Sequence, residues 1–210
     1  MLKHFFRGPF VRFAYKASVK NVIGLENLPK GSFIVAANHI SYMDIWALSA
    51  VFLVKARRNV IYLAKKELSR NYLISWFINN YDPIYFDREN DKQEIVETAA
   101  NELKKGGIIG IFPEGARSPD GKLQKGKTGV ARLALLAKVP VLPVGIKGTR
   151  EMMPKGSYFP KFNKNAIINI GHPMKFNKYY KKKITKKLLR QMTDDIMKQI
   201  AELIGQKYNF

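Results

Sequence analysis

The chain has 210 residues, 46% of them hydrophobic, enough for one domain with a substantial core and too few for two large ones. Its 37 Lys and Arg against 16 Asp and Glu leave a formal charge of +21, which points to an anionic partner: nucleic acid, an acidic protein, a phosphate-bearing metabolite or an anionic lipid surface. There is no cysteine, so disulfides, thiolate nucleophiles and cysteine metal sites are excluded, and a reducing compartment fits.

Residues 1–20 carry Lys3, Arg7, Arg12, Lys16 and Lys20 without an acid, among Leu2, Phe5, Phe6, Phe10, Val11, Phe13 and Tyr15. Gly8-Pro9 predicts a break between two short amphipathic helices. Such a segment suits a membrane interface, aromatic side among acyl chains and cations at anionic head groups; the alternative is a terminal helix packed on the core. It lacks the long apolar core and cleavage site of a secretory signal and is expected in the mature protein. The strongest apolar stretch, Ile45 to Val54, is about half the roughly 20 residues needed to span a bilayer.

Apolar strand-like runs then alternate with helical patterns. Strands are expected at 21–25, 32–38, 59–64, 83–87, 108–112, 141–146 and 166–170. Helices are expected from about Tyr42, over 67–79, 91–105, 128–137 and 185–204. Between Asp91 and Lys105, Ile95, Ala99 and Leu103 share a face, and Gly106-Gly107 stop the helix. In the last helix Leu188, Met192, Ile196, Ile200 and Leu203 form a stripe that docks on the sheet. The alternation predicts an α/β fold: one domain over 21–210, a largely parallel mixed sheet covered by helices on both faces, preceded by the amphipathic segment 1–20. The basic run 174–190 reads as a solvated face, a lipid surface or a contact for an acidic protein.

Residues 121–128, GKLQKGKT, fit the phosphate-loop pattern G-x-x-x-x-G-K-[ST]. A true phosphate loop starts where a buried strand ends, whereas here the strand-like run ends at Phe112 and PEGARSPD intervenes. A P-loop nucleotide hydrolase is therefore a remote alternative. A nucleic-acid-binding protein is favoured by charge alone, with no helix-turn-helix, zinc or RNA-binding signature.

His39 and Asp44 follow the strand SFIVAA in an H-x-x-x-x-D arrangement. With Ser41 as N-cap, Asp44 takes the third helical position and leans back toward the helix start, within reach of His39. A carboxylate on one ring nitrogen leaves the other to take a proton from a hydroxyl. The plainer alternative makes Asp44 a capping carboxylate and His39 a satisfied strand-end residue. FPEGARS (112–118) places Glu114, Arg117 and Ser118 on a loop at a strand end, and PIYFDR delivers Asp87-Arg88 to another; each pair also reads as a surface ion pair.

In this order the blocks NHISYMD, IYFDR, FPEGARS and VLPV resemble the glycerolipid acyltransferases, specifically the 1-acylglycerol-3-phosphate (lysophosphatidic acid) acyltransferases, over about residues 21–170. Asp82 and Ala116 depart from the usual glycine and threonine. The resemblance implies acyl transfer from acyl carrier protein or a coenzyme A thioester to the free hydroxyl of lysophosphatidic acid, giving phosphatidic acid. His39 would be the general base and Asp44 its orienting partner, with direct attack on the thioester and no metal or organic cofactor. Arg88, Glu114, Gly115, Arg117, Ser118 and Lys127 would bind substrate, the arginines as two-pronged phosphate ligands. A relative acylating glycerol 3-phosphate or another lysolipid is the nearer alternative. The expected setting is peripheral, on the cytoplasmic face of the cell membrane.

Overall fold

Strand β2 (Phe33–Ala37) is buried at every residue and lies at the middle of the sheet, the environment its uninterrupted apolar run FIVAA requires. The computed structural model describes residues 7–66, 83–86, 92–153, 157, 160–161 and 163–210. Among these, seven strands form one sheet in the order β1-β7-β6-β2-β5-β3-β4. They are β1 (Val19–Ile23), β2, β3 (Ile61–Lys65), β4 (Ile84–Phe86), β5 (Ile108–Ile111), β6 (Val141–Lys147) and β7 (Ala166–Ile170). All neighbouring pairs are parallel except β6 with β7, so the mixed, largely parallel sheet is as expected.

The helices are α1 (Arg7–Ser18), α2 (Met43–Val51), α3 (Lys92–Lys104), α4 (Gly129–Ala137), the single turn α5 (Thr149–Met152) and α6 (Lys186–Ile204). Alternate residues of β2 face opposite layers. Phe33, Val35 and Ala37 join the core under α1 and α2, while Ile34 and Ala36 join the core under α3, α4 and α6. The helix after β2 therefore packs on one face and the helix after β5 on the other. This opens a crevice beyond the carboxyl ends of two adjacent strands, the usual ligand position in open α/β sheets. Register completes the placement: Ala36 pairs with Ile111 and Ala37 with Val144, so the chain leaves β2 and β5 side by side.

Pro9 falls in the first turn of α1, the place expected for it at the start of the second amphipathic helix, where its missing N–H removes no helical hydrogen bond; the helix expected before Gly8 falls largely on residues outside those described. Val11 and Ala14 of α1 pack into the core, while Arg12, Phe13 and Lys16 face outward, Phe13 at 59% exposure. The apolar stretch 45–54 is core: Trp46, Ala47, Leu48, Ala50, Val51 and Phe52 are buried. No helix among the described residues is long and apolar enough to cross a membrane. The helix expected over 67–79, together with Asp82, Asp87 and Arg88, lies outside the described residues.

The helix ends obey their local chemistry. Thr185 caps α6 by accepting the Leu188 N–H, and Gly205, in the left-handed region, ends it.

Candidate active site

Asn38 and His39 follow β2 directly. The Asn38 side chain donates to the Ile146 carbonyl (2.9 Å) and accepts the Ile146 N–H (2.7 Å), fastening this turn to the end of β6. The N-cap of α2 is Tyr42, one residue later than expected; the Ser41 hydroxyl accepts the Met43 N–H (3.1 Å) and Asp44 reaches back to the Ser41 N–H (2.8 Å), a reciprocal arrangement that fixes the carboxylate. Asp44 Oδ2 also takes the Ile40 N–H (2.7 Å) and lies 2.8 Å from His39 Nδ1. Its other oxygen, Oδ1, accepts the Thr149 hydroxyl at the start of α5. Asp44 is fully buried, and its two oxygens meet donors from His39, Ile40, Ser41 and Thr149. Nδ1 must then carry the proton toward it, so Nε2 is the nitrogen that remains to accept one. His39 keeps 14% exposure, and its ring stacks on Phe112 (centroids 4.1 Å apart, planes at 18°), which stacks in turn on Tyr62.

The FPEGARS loop meets this turn from β5. Glu114, 5% exposed, accepts the His39 N–H at Oε1 (2.7 Å) and the Gln124 N–H at Oε2 (2.8 Å). Burial pushes its carboxyl up to about 7, against the two amides that favour the charged form, and the nearby Asp44 charge adds to the rise. Its oxygens are thus engaged with main chain on both sides, joining the His39 turn to the loop 121–127. Arg117 lies over the Tyr42 ring with its guanidinium carbon 3.5 Å from the centroid, a stacking that fixes the plane of its donors. The Ser118 amide donates to the His39 carbonyl (2.7 Å), while its hydroxyl accepts the Gly121 N–H and meets the Lys122 carbonyl.

Gly115 adopts φ 73, and a Cβ there would come within 2.7 Å of Lys127 Nζ, so the lysine crosses the glycine and sets its ammonium against the loop that carries Arg117. His39, Asp44, Glu114, Gly115, Arg117, Ser118 and Lys127 are thereby brought to one end of the sheet; Arg88 lies outside the described residues. Three contributors were not singled out from sequence: Thr149, Tyr42 and the bridging side chain of Asn38. Thr149 stands 105 positions from Asp44, and no spacing rule links them.

The phosphate-loop alternative fails on hydrogen bonds. Within 121–128 the amides of Gly121, Lys122, Leu123, Gln124, Gly126 and Lys127 go to Ser118, Asp120, Gln206, Glu114, Tyr208 and Pro113 respectively. A phosphate cradle needs such amides unpaired and convergent.

Residues 19–147 match the family model described as Acyltransferase. The chain belongs to the acyltransferase family. All four blocks that carried the resemblance lie within or border that match. The chain is 32% identical over 184 residues to 1-acyl-sn-glycerol-3-phosphate acyltransferase of Bacillus subtilis, spanning 87% of this chain and 86% of that one. It is 31% identical to the protein of the same name from Saccharomyces cerevisiae, covering 83% of this chain and 59% of the relative. Among solved structures it resembles the 1-acyl-sn-glycerophosphate (LPA) acyltransferase PlsC of Thermotoga maritima, with TM-score 0.72 and 28% identity over 99% of this chain and 83% of that one.

Proposed function

We propose that the protein transfers a fatty acyl group from a thioester, carried by acyl carrier protein or coenzyme A, to the sn-2 hydroxyl of 1-acylglycerol 3-phosphate, yielding phosphatidic acid for phospholipid synthesis. The observation that carries this reading is the His39-Asp44 pair, 2.8 Å apart, beside a loop that presents Arg117 and Lys127. His39 Nε2 removes the proton from the acceptor hydroxyl as its oxygen attacks the thioester carbonyl. The C–S bond breaks, and the imidazolium returns the proton to the departing thiolate. Asp44 holds the ring and balances the charge that develops on it. Because the acceptor oxygen attacks directly, no acyl-enzyme forms, and the step needs no metal or organic cofactor.

Arg117 and Lys127 bind the acceptor phosphate, the first through a planar fork and the second as a point charge; Arg88 is proposed for the same task. Glu114, Gly115 and Ser118 shape the binding loop, Glu114 with its lone pairs also available to an acceptor hydroxyl. Acceptor and product are anionic amphiphiles, so the enzyme works at a membrane surface, peripherally and on the cytoplasmic face where anionic lipids concentrate. The outward Arg12, Phe13 and Lys16 of α1 support that setting.

The test is an acyl-transfer assay with purified protein, several lysolipid acceptors, glycerol 3-phosphate and both donor types, beside His39→Ala. Turnover of lysophosphatidic acid should fall roughly 100-fold or more in the variant. Near-parental turnover would remove His39 as the base, and preference for glycerol 3-phosphate would replace the acceptor.

A further inference from the structure

The lysine loop 121–127 does not hold itself in place. Its lysines, Lys122, Lys125 and Lys127, are exposed, whereas Leu123 and Gly126 point inward and are buried. The partners that hold these inward residues come from α6 and the segment after it, beyond the residues that match the family model. Gln206 accepts the Leu123 N–H at Oε1 (2.8 Å) and donates from Nε2 to the Gly121 carbonyl (3.1 Å), spanning both sides of the turn. Tyr208 accepts the Gly126 N–H at its hydroxyl (3.2 Å), and Arg190 of α6 donates to the Gly126 carbonyl (2.7 Å). Asp194 secures the two holders, pairing with Arg190 and accepting the Tyr208 hydroxyl (3.1 Å). Gly126 lies so close to α6 that a Cβ would come within 2.7 Å of the Met197 side chain. The next residue is Lys127, whose own N–H is taken by Pro113 and whose ammonium reaches Gly115.

We propose that Gln206 and Tyr208 form a clasp that positions the lysine loop, and through it Lys127, for the phosphate of the acceptor. The inference rests on the acceptor reading given above. Tyr208 holds the amide of the residue before Lys127 and shares Asp194 with the Arg190 that holds its carbonyl, so opening the clasp loosens the backbone that leads into the lysine. Neither residue touches His39 or Asp44, and the clasp governs acceptor affinity while leaving the proton transfer unchanged.

The experiment compares Gln206→Ala, Tyr208→Phe and the double variant with the parent and with Lys207→Ala, whose exposed side chain lies outside the clasp. Each is assayed for kcat and for the KM of lysophosphatidic acid, and each is digested briefly with trypsin, with cleavage after Lys122, Lys125 and Lys127 followed by mass spectrometry. Each clasp variant should raise KM about 10-fold, keep kcat within about 2-fold, and speed cleavage in the loop about 10-fold, with the double variant larger on each measure. Lys207→Ala should match the parent. Loop cleavage at the parental rate in the double variant would overturn the clasp. Faster cleavage with unchanged KM would overturn its role in acceptor binding. A parent chain that acylates no lysolipid would sink the acceptor reading and that role with it, while the tryptic rates would still decide whether the clasp exists.

Discussion

Asp44 receives hydrogen bonds from His39, two main-chain amides and Thr149, and the last of these is the one a single substitution can remove without touching the His39 turn. Thr149→Val should lower kcat about 10-fold with acceptor KM near the parental value, and Thr149→Ser should restore it. Parental kcat in the valine variant, or no recovery in the serine variant, would reduce Thr149 to packing. Glu114 gives a second residue-scale prediction. Its folded-state value of about 7 exceeds the ordinary 4.5, so the folded chain binds more protons than the unfolded chain across that window. Its contribution is fully present below pH 4.5 and is lost as pH rises toward 7, by on the order of 3 kcal/mol. Thermal midpoints at pH 5 and pH 8 should therefore differ more in the parent than in Glu114→Gln, which has no carboxyl to titrate; equal differences would show that Glu114 is not perturbed.

At the scale of elements, the site depends on short connections that leave neighbouring strands at one level. The turn from β6 into α5 is one of these. Gly148 adopts φ 80, and a Cβ there would fall 2.0 Å from the Asn165 carbonyl oxygen, so this position excludes every side chain. Gly148→Ala should cost about 2–4 kcal/mol, measured by denaturant unfolding, and should lower activity further because it displaces Thr149. Parental stability would mean that the β6-α5 turn yields more easily than its geometry implies. The helix α1 shows the other face of element-level logic: the same twelve residues pack Val11 and Ala14 on the core and leave Arg12, Phe13 and Lys16 outside. Core packing and interface binding are therefore not alternatives for this segment, since an amphipathic helix has two sides to assign.

For the whole molecule, the excess of cations acts through long-range attraction to anionic surfaces, and salt weakens it. Binding to vesicles containing anionic phospholipid, measured by co-sedimentation, should weaken about 10-fold or more between 0.05 and 0.5 M salt. Phe13→Ser should weaken it at both concentrations, because apolar insertion is not screened. Binding indifferent to salt and to Phe13 would remove the interfacial reading.

Most strands and helices were legible from periodicity alone, and their edges moved by only one or two residues. Patterns of two and of three to four are imposed by neighbouring residues, which any sequence exposes. The H-x-x-x-x-D spacing was equally legible, because a helix start brings residues 39 and 44 together without help from the rest of the chain. What required the tertiary structure was every partnership across the sheet. Glu114 was expected on the acceptor, and both its oxygens also brace main chain; Thr149 and Tyr42 gave no one-dimensional signal; GKLQKGKT matched a phosphate loop while its amides were bound elsewhere. Strand order, register and the path of the crossovers decide which distant amide a side chain meets, and these follow from burial of two whole faces at once, not from any short run of residues. The sequence by itself determined the elements, the His39-Asp44 contact and the family's blocks; the packed sheet decided that the loop bearing Lys127 is held by Gln206 and Tyr208, because only folding brings residues 82 or more positions apart into hydrogen-bond range.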